Sequence, residues 1–223
     1  MKKYIKENKK TIIIVSIASL LFILLSTLLV TNKINNLDTI THSYILSIRN
    51  NTLTKIFTNF TNLANGSFLL AISVILLILM KNKKIPLYML INLICAFLTN
   101  ETAKSIFNRT RPIGINLVDE IGLSYPSGHS MVGLTFYGFI LYLIYQSKIN
   151  KSKKIIITTS LIITILIIGI SRIYLGVHYL SDVIGGFLLA IIYLTIFINI
   201  IKIEKKWLIW KLSVLLPNII HFI

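Results

Sequence analysis

A single cysteine, Cys95, stands in a chain of 223 residues, which excludes an internal disulfide and leaves the redox compartment unreadable from cysteine usage. Acids are scarce: seven Asp and Glu face 23 Lys and Arg, and no carboxylates cluster in a way that suits Mg2+. Charged residues of both signs make up only 13% of the chain against 55% hydrophobic, a balance that excludes a water-soluble globule. No basic stretch is interleaved with aromatics on a soluble surface, so the net charge of +16 does not point to nucleic acid. With no internal repeat, no low-complexity tract and no second domain in evidence, residues 1–223 read as one membrane-embedded domain.

What fills the chain instead is apolar sequence in runs near the roughly 20 residues that cross a bilayer. Such runs cover about 11–31, 67–80 (short, extended by its flanks), 86–100, 131–146, 155–170 and 183–201. The expected fold is an all-α integral membrane protein with six transmembrane helices. Between them, MKKYIKENKK carries five lysines, KNKK at 81–84 three, KINKSKK at 148–154 four and KIEKK at 202–206 three. These four segments share one side if all six spans cross. The positive-inside rule makes that side cytoplasmic, with both termini there in the plasma membrane and anionic lipid headgroups as partners of the lysines. The first run is too long for a signal-peptide core, and TNKINN after it offers no small-residue cleavage site, so it reads as an uncleaved span. The tail over 207–223, interrupted by Lys211 and Pro217, reads as interfacial or packed.

Between the first two runs, Leu53, Ile56, Phe57, Phe60 and Leu63 recur with helical spacing, and Leu37, Ile40, Tyr44 and Ile48 suggest a preceding helix broken at Asn50-Asn51. Both read as amphipathic helices on the outer interface, either guiding lipid or merely covering the bundle.

Lys104, Arg109, Arg111 and Arg172 lie at or near the outer ends of spans, against the positive-inside bias, which implies something anionic to hold them. Lys104 and Arg111 are seven apart, two helical turns, and Pro112 then ends the helix. A lysine beside a guanidinium fork suits phosphate, though the pair by itself reads equally as two snorkelling side chains. In YPSGHSM, residues 125–131, Ser127 is placed to N-cap a helix, Gly128 to let backbone approach a ligand, and His129 to exchange a proton with an oxyanion. In SRIYLGVHYLSD, residues 171–182, Gly176 marks a turn and His178 and Asp182 are four apart, so that the carboxylate can fix the imidazole tautomer. Asp119 and Glu120 in the intervening loop read as solvated residues.

Taken in order, 104–112 as K-x6-R-P, 126–129 as P-S-G-H and 171–182 as S-R-x5-H-x3-D resemble the three-part signature of the type 2 phosphatidic acid phosphatase superfamily. Those motifs span 104–182, and the six-span arrangement extends the resemblance over the whole chain. The resemblance implies a lipid phosphatase without cofactor or metal. Lys104, Arg111 and Arg172 would hold the phosphate, with Ser127 and the Gly128 backbone completing the cradle. His178, oriented by Asp182, would attack phosphorus, and His129 would protonate the leaving oxygen and later activate water. Members of the family act on undecaprenyl diphosphate, phosphatidylglycerophosphate or phosphatidic acid. An extracytoplasmic site favours the first, and the motif flanks also resemble bacterial phosphatidylglycerophosphate phosphatases. No obligate protein partner is implied. A non-catalytic lipid-phosphate transporter or scaffold would keep the helices but would have no need of a complete catalytic set.

Overall fold

The computed structural model describes residues 8–114 and 116–215, with side chains through 202. All regular structure among them is helical: α1 (Lys9–Val30), α2 (Asn35–Ser47), α3 (Asn51–Asn62), α4 (Gly66–Leu79), α5 (Lys84–Phe107), α6 (Gly128–Gln146), α7 (Lys151–Tyr174) and α8 (Leu180–Leu215). Five of them, α1, α5, α6, α7 and α8, are long and apolar enough to cross a membrane. The expected second span, 67–80, is the 14-residue α4. At 1.5 Å per residue it reaches about 21 Å, short of a hydrocarbon core of about 30 Å. It passes as a span only together with α3, to which it is joined at a bend of 47°. The side chains of the tail over 207–223 lie outside the described residues, although α8 continues as helix to Leu215.

Helix α8 is central, with α1 and α6 packed against it, while α7 packs on α6 and α3 on α7. Close approach of α6 and α8 depends on Gly185 and Gly186, where a Cβ would fall 2.4 Å from the Tyr125 ring and 2.7 Å from the Ser127 carbonyl oxygen. The largest apolar core joins Leu69 of α4, Met89 and Leu93 of α5, Val132, Phe136 and Phe139 of α6, and Leu194 of α8. Outside it, Ile12, Ile17, Leu20, Ile23 and Leu24 of α1 and Ile155, Ile156, Ile163 and Leu166 of α7 point away from the bundle. Helices that satisfy their own backbone and turn apolar side chains outward are what a bilayer demands, and the chain is a multi-pass membrane protein.

Between α1 and α4, helix α2 departs from the amphipathic expectation, while α3 keeps Leu53 and Phe57 on an inward face. In α2, Leu37, Ile40 and Tyr44 are exposed, and the side turned inward carries Asp38, 1% exposed. A buried carboxylate needs partners, and Asp38 finds them in the loop after α5 and at the start of α8. In α3, Leu53 and Phe57 pack on Tyr174, Leu175 and Val177, but Thr61 also turns inward, to Arg172. The Asn50 side chain caps α3 by accepting from the Leu53 amide at 2.9 Å.

Candidate active site

Four helix ends converge at one end of the bundle: the C-termini of α5 and α7 and the N-termini of α6 and α8. Ser127 caps α6 as the sequence predicts, its hydroxyl accepting from the Ser130 amide at 3.5 Å and the Ser130 hydroxyl at 3.0 Å. Gly128 follows with Lys104 Nζ 3.7 Å from where its Cβ would stand. After α7 the chain turns at Gly176, whose φ of +84° lies in the left-handed region, and this delivers His178 into the protein two residues before α8.

The reason for Arg111 being here differs from the helical spacing argued above. Helix α5 stops at Phe107, with Asn108 in the left-handed conformation (φ 47°) as C-cap, so Lys104 and Arg111 are not two turns apart on one helix. Arg111 lies in the following loop and is fixed there by carbonyls. It donates to Gly122 O at 3.1 Å, Ile121 O at 3.2 Å and Val177 O at 3.0 Å. The same Nη1 stands 3.1 Å from His178 Nε2. A guanidinium can only donate, so Nε2 presents its lone pair and the ring proton resides on Nδ1. That proton faces Ser124 Oγ at 3.2 Å and Asp182 Oδ2 at 3.3 Å.

Asp182 is 0% exposed and satisfied on both oxygens. Its Oδ2 also accepts from Ser124 Oγ at 2.6 Å and the Tyr179 amide at 2.8 Å, and its Oδ1 from Arg109 Nη1 at 2.6 Å. Burial lowers the His178 pKa to about 4; Asp182 opposes that shift, and Arg172 and Arg111 reinforce it.

Arg172 is 1% exposed, donates to Thr61 Oγ1 at 2.7 Å, and pairs closely with Glu120. Glu120 is not the solvated loop residue expected. Its carboxylate also stands 3.6 Å from Arg111 Nη2 and 3.9 Å from His129 Nδ1, in the midst of the predicted phosphate-binding groups, whereas Asp119 is exposed. The reason is electrostatic: a buried guanidinium and a partly buried one beside it attract a carboxylate able to reach them both. Lys104 is paired with Glu101 at 2.9 Å.

A cavity of about 570 Å3 opens from this cluster. Lys104, Glu120, Gly128 and His129 form its polar end, and Leu70 of α4 with Leu93, Ile94 and Phe97 of α5 form an apolar flank. Sequence reading thus names Lys104, Arg111, Ser127, Gly128, His129, Arg172, His178 and Asp182, and the fold brings all eight to one end of the bundle. It misses Ser124, Arg109 as an Asp182 partner, Thr61, Glu120 and Asp38. A signal existed for Asp38, the only acid from residue 8 to residue 100.

The chain is similar to several known proteins in sequence and in fold. A sequence profile of the PAP2 superfamily matches residues 85–206. Phosphatidylglycerophosphatase B of Bacillus subtilis is 34% identical over 178 residues, 78% of this chain and 87% of the relative. An undecaprenyl-diphosphatase of Sulfolobus acidocaldarius is 30% identical over 127 residues, covering 53% of this chain and 56% of that relative. Among solved structures, a transmembrane PAP2 type phosphatidylglycerolphosphate phosphatase from Bacillus subtilis superposes with a TM-score of 0.77 at 30% identity, over 84% of this chain and 96% of the other. Aquifex aeolicus LpxE gives a TM-score of 0.60 at 25% identity, over 73% of this chain and 95% of the other.

Proposed function

We propose that this chain, which belongs to the PAP2 superfamily and is a lipid phosphatase, removes the terminal phosphate of a membrane lipid through a phosphohistidine on His178. The observation that carries the reading is the Glu120 carboxylate: an anion already sits among Arg111, Arg172 and His129, and the same Arg111 meets the His178 lone pair through Nη1. A substrate phosphate takes that position, held by Arg111, Arg172 and Lys104 together with the Gly128 end of α6, where Ser127 caps the helix. Nε2 attacks phosphorus as the bond to the lipid oxygen breaks, and protonated His129 gives its proton to that oxygen. The imidazolium so formed keeps its Nδ1 proton toward Asp182 and Ser124. Water then loses a proton to His129 as its oxygen attacks phosphorus, and phosphate departs with His178 restored. Charge on the transferring group is met by fixed cations.

The apolar flank of the cavity accommodates the acyl or prenyl part of the lipid, its phosphate at the polar end. Two substrate classes, phosphomonoester lipids and a lipid diphosphate, are supported by different observations. The Bacillus subtilis relatives, matched over most of both chains, favour phosphatidylglycerophosphate or a similar phosphomonoester lipid such as phosphatidic acid. The Sulfolobus relative favours undecaprenyl diphosphate, as does a site facing outward, which follows from placing the lysine-rich segments on anionic cytoplasmic headgroups.

Phosphate release in detergent from these three lipids, in excess EDTA, tests the reading. Release that persists with EDTA and is blocked by vanadate supports it. Binding of the lipids without release identifies a transporter or scaffold, and activity that vanishes with EDTA and returns with Mg2+ removes the assigned role of the cations.

A further inference from the structure

Helix α2 reaches the site through Asp38. Asp38, on α2, is 1% exposed, yet no step above uses it. Its Oδ2 accepts from Arg109 Nη2 at 2.7 Å, while the other nitrogen of that fork, Nη1, donates to Asp182 Oδ1 at 2.6 Å. One guanidinium therefore bridges two buried carboxylates. Asp38 also accepts from the Ser181 amide at 3.0 Å, an amide in the first turn of α8 that has no partner within the helix, and from the Ser181 hydroxyl. Arg109 is covered by the Tyr179 ring, 4.3 Å from the guanidinium carbon.

We propose that Asp38 is a positioning residue for the phosphoryl transfer, acting through Arg109 and Asp182 on His178; this rests on the reading of His178 as nucleophile. Charge is the first cause. Arg109 and Asp182 alone are a neutral pair, and a neutral pair next to the imidazole gives little support to the positive charge that Nε2–P bond formation creates. A second carboxylate on the far side of Arg109 leaves the trio with a net charge of −1 whose carboxylates are both buried, where such a charge is less screened than at the surface. His178 is the ionisable neighbour of Asp182 on the opposite side from Arg109, and its imidazolium supplies the balancing charge. Geometry acts in the same direction. By holding the Arg109 fork and the first turn of α8 together, Asp38 fixes Asp182 Oδ1, so that Oδ2 remains aimed at His178 Nδ1 and the Ser124 hydroxyl.

The test is rapid-quench measurement of phosphoenzyme formation and breakdown with a labelled lipid phosphate, on the full chain in detergent, for wild type, Asp38→Asn and Asp38→Glu. Asp38→Asn keeps the volume and removes the charge. It is expected to slow phosphoenzyme formation about 10- to 100-fold, the scale of partners that act through a directly acting ligand. Breakdown should be unchanged or faster, because the intermediate has lost its counter-charge, and KM should move less than about twofold. Asp38→Glu, which keeps the charge, should recover part of the rate. A merely structural role would lower the amount of phosphoenzyme while leaving both rate constants at the wild-type value, and that result overturns the proposal. Should Asp38→Asn not fold, Arg109→Lys serves instead. A single ammonium cannot span the two carboxylates, so formation should slow with breakdown preserved, and wild-type rate constants there also overturn it. Absence of any acid-labile, base-stable adduct in the wild type would instead remove the reading of His178 on which the proposal rests.

Discussion

Glu120 occupies Arg172: the carboxylate of a loop residue lies on the guanidinium that the proposed function gives to substrate phosphate. Glu120 takes Nη2 of that guanidinium, and its negative charge stands beside any phosphate drawn to Arg172, so Glu120 disfavours every anion that binds there. Glu120→Gln keeps the shape and removes the charge. The vanadate inhibition constant should fall roughly fivefold, the scale of an ion pair worth about 1 kcal/mol. Unchanged inhibition in this variant would show that Glu120 does not oppose anion binding, and weaker inhibition that it assists it.

The two histidines should separate by leaving group. His178→Ala removes the nucleophile and should be inactive on all substrates, since no leaving group replaces a missing lone pair. His129→Ala should be most damaging with phosphomonoester lipids, whose alkoxide needs a proton, and milder with nitrophenyl phosphate and lipid diphosphates, whose leaving groups are stable anions. With nitrophenyl phosphate, a burst of nitrophenolate followed by slow turnover is expected in His129→Ala. Equal losses in both variants on every substrate, with no burst, would remove the assignment.

Burial sets a pH signature for His178. Its folded pKa is about 4, while an unfolded histidine titrates near 6.5. Between these values the unfolded chain binds the proton and the folded one does not, so stability from neutral His178 is fully present above about pH 6.5 and is lost as pH falls toward 4. Melting temperature in detergent, compared with His178→Gln, which stays neutral, should show the wild-type advantage shrinking over that window. A difference that stays constant from pH 7 to pH 4 would mean that His178 titrates alike in both states.

Orientation is testable at Ile113, which is 97% exposed in the loop between α5 and α6. In a Cys95→Ser background, Ile113→Cys should react with an impermeant maleimide in intact cells. Labelling that requires opened cells would reverse the topology and remove the orientation argument for undecaprenyl diphosphate.

Much of this protein is legible locally. Apolar length marks α1, α5, α6, α7 and α8 as spans, because a bilayer constrains helix length directly. The Ser127 cap, the Gly176 turn and the adjacency of His178 and Asp182 depend on residues within four positions of one another. Spacing is a poorer guide where the chain leaves a helix. The interval from Lys104 to Arg111 reads as two turns, yet α5 ends at Phe107 and Arg111 is held by carbonyls of Ile121, Gly122 and Val177.

The sequence by itself determined the five long apolar helices and the three short segments to which the proposed chemistry is assigned, since propensity, capping and hydropathy act over one or two turns. Only the tertiary structure decided that Asp38 meets Arg109 across 71 positions and Ser181 across 143, that Thr61 reaches Arg172, and that Glu120 enters the phosphate site. A charge withdrawn from water is stable only with a partner, and which partner it finds depends on which helix faces the fold brings together.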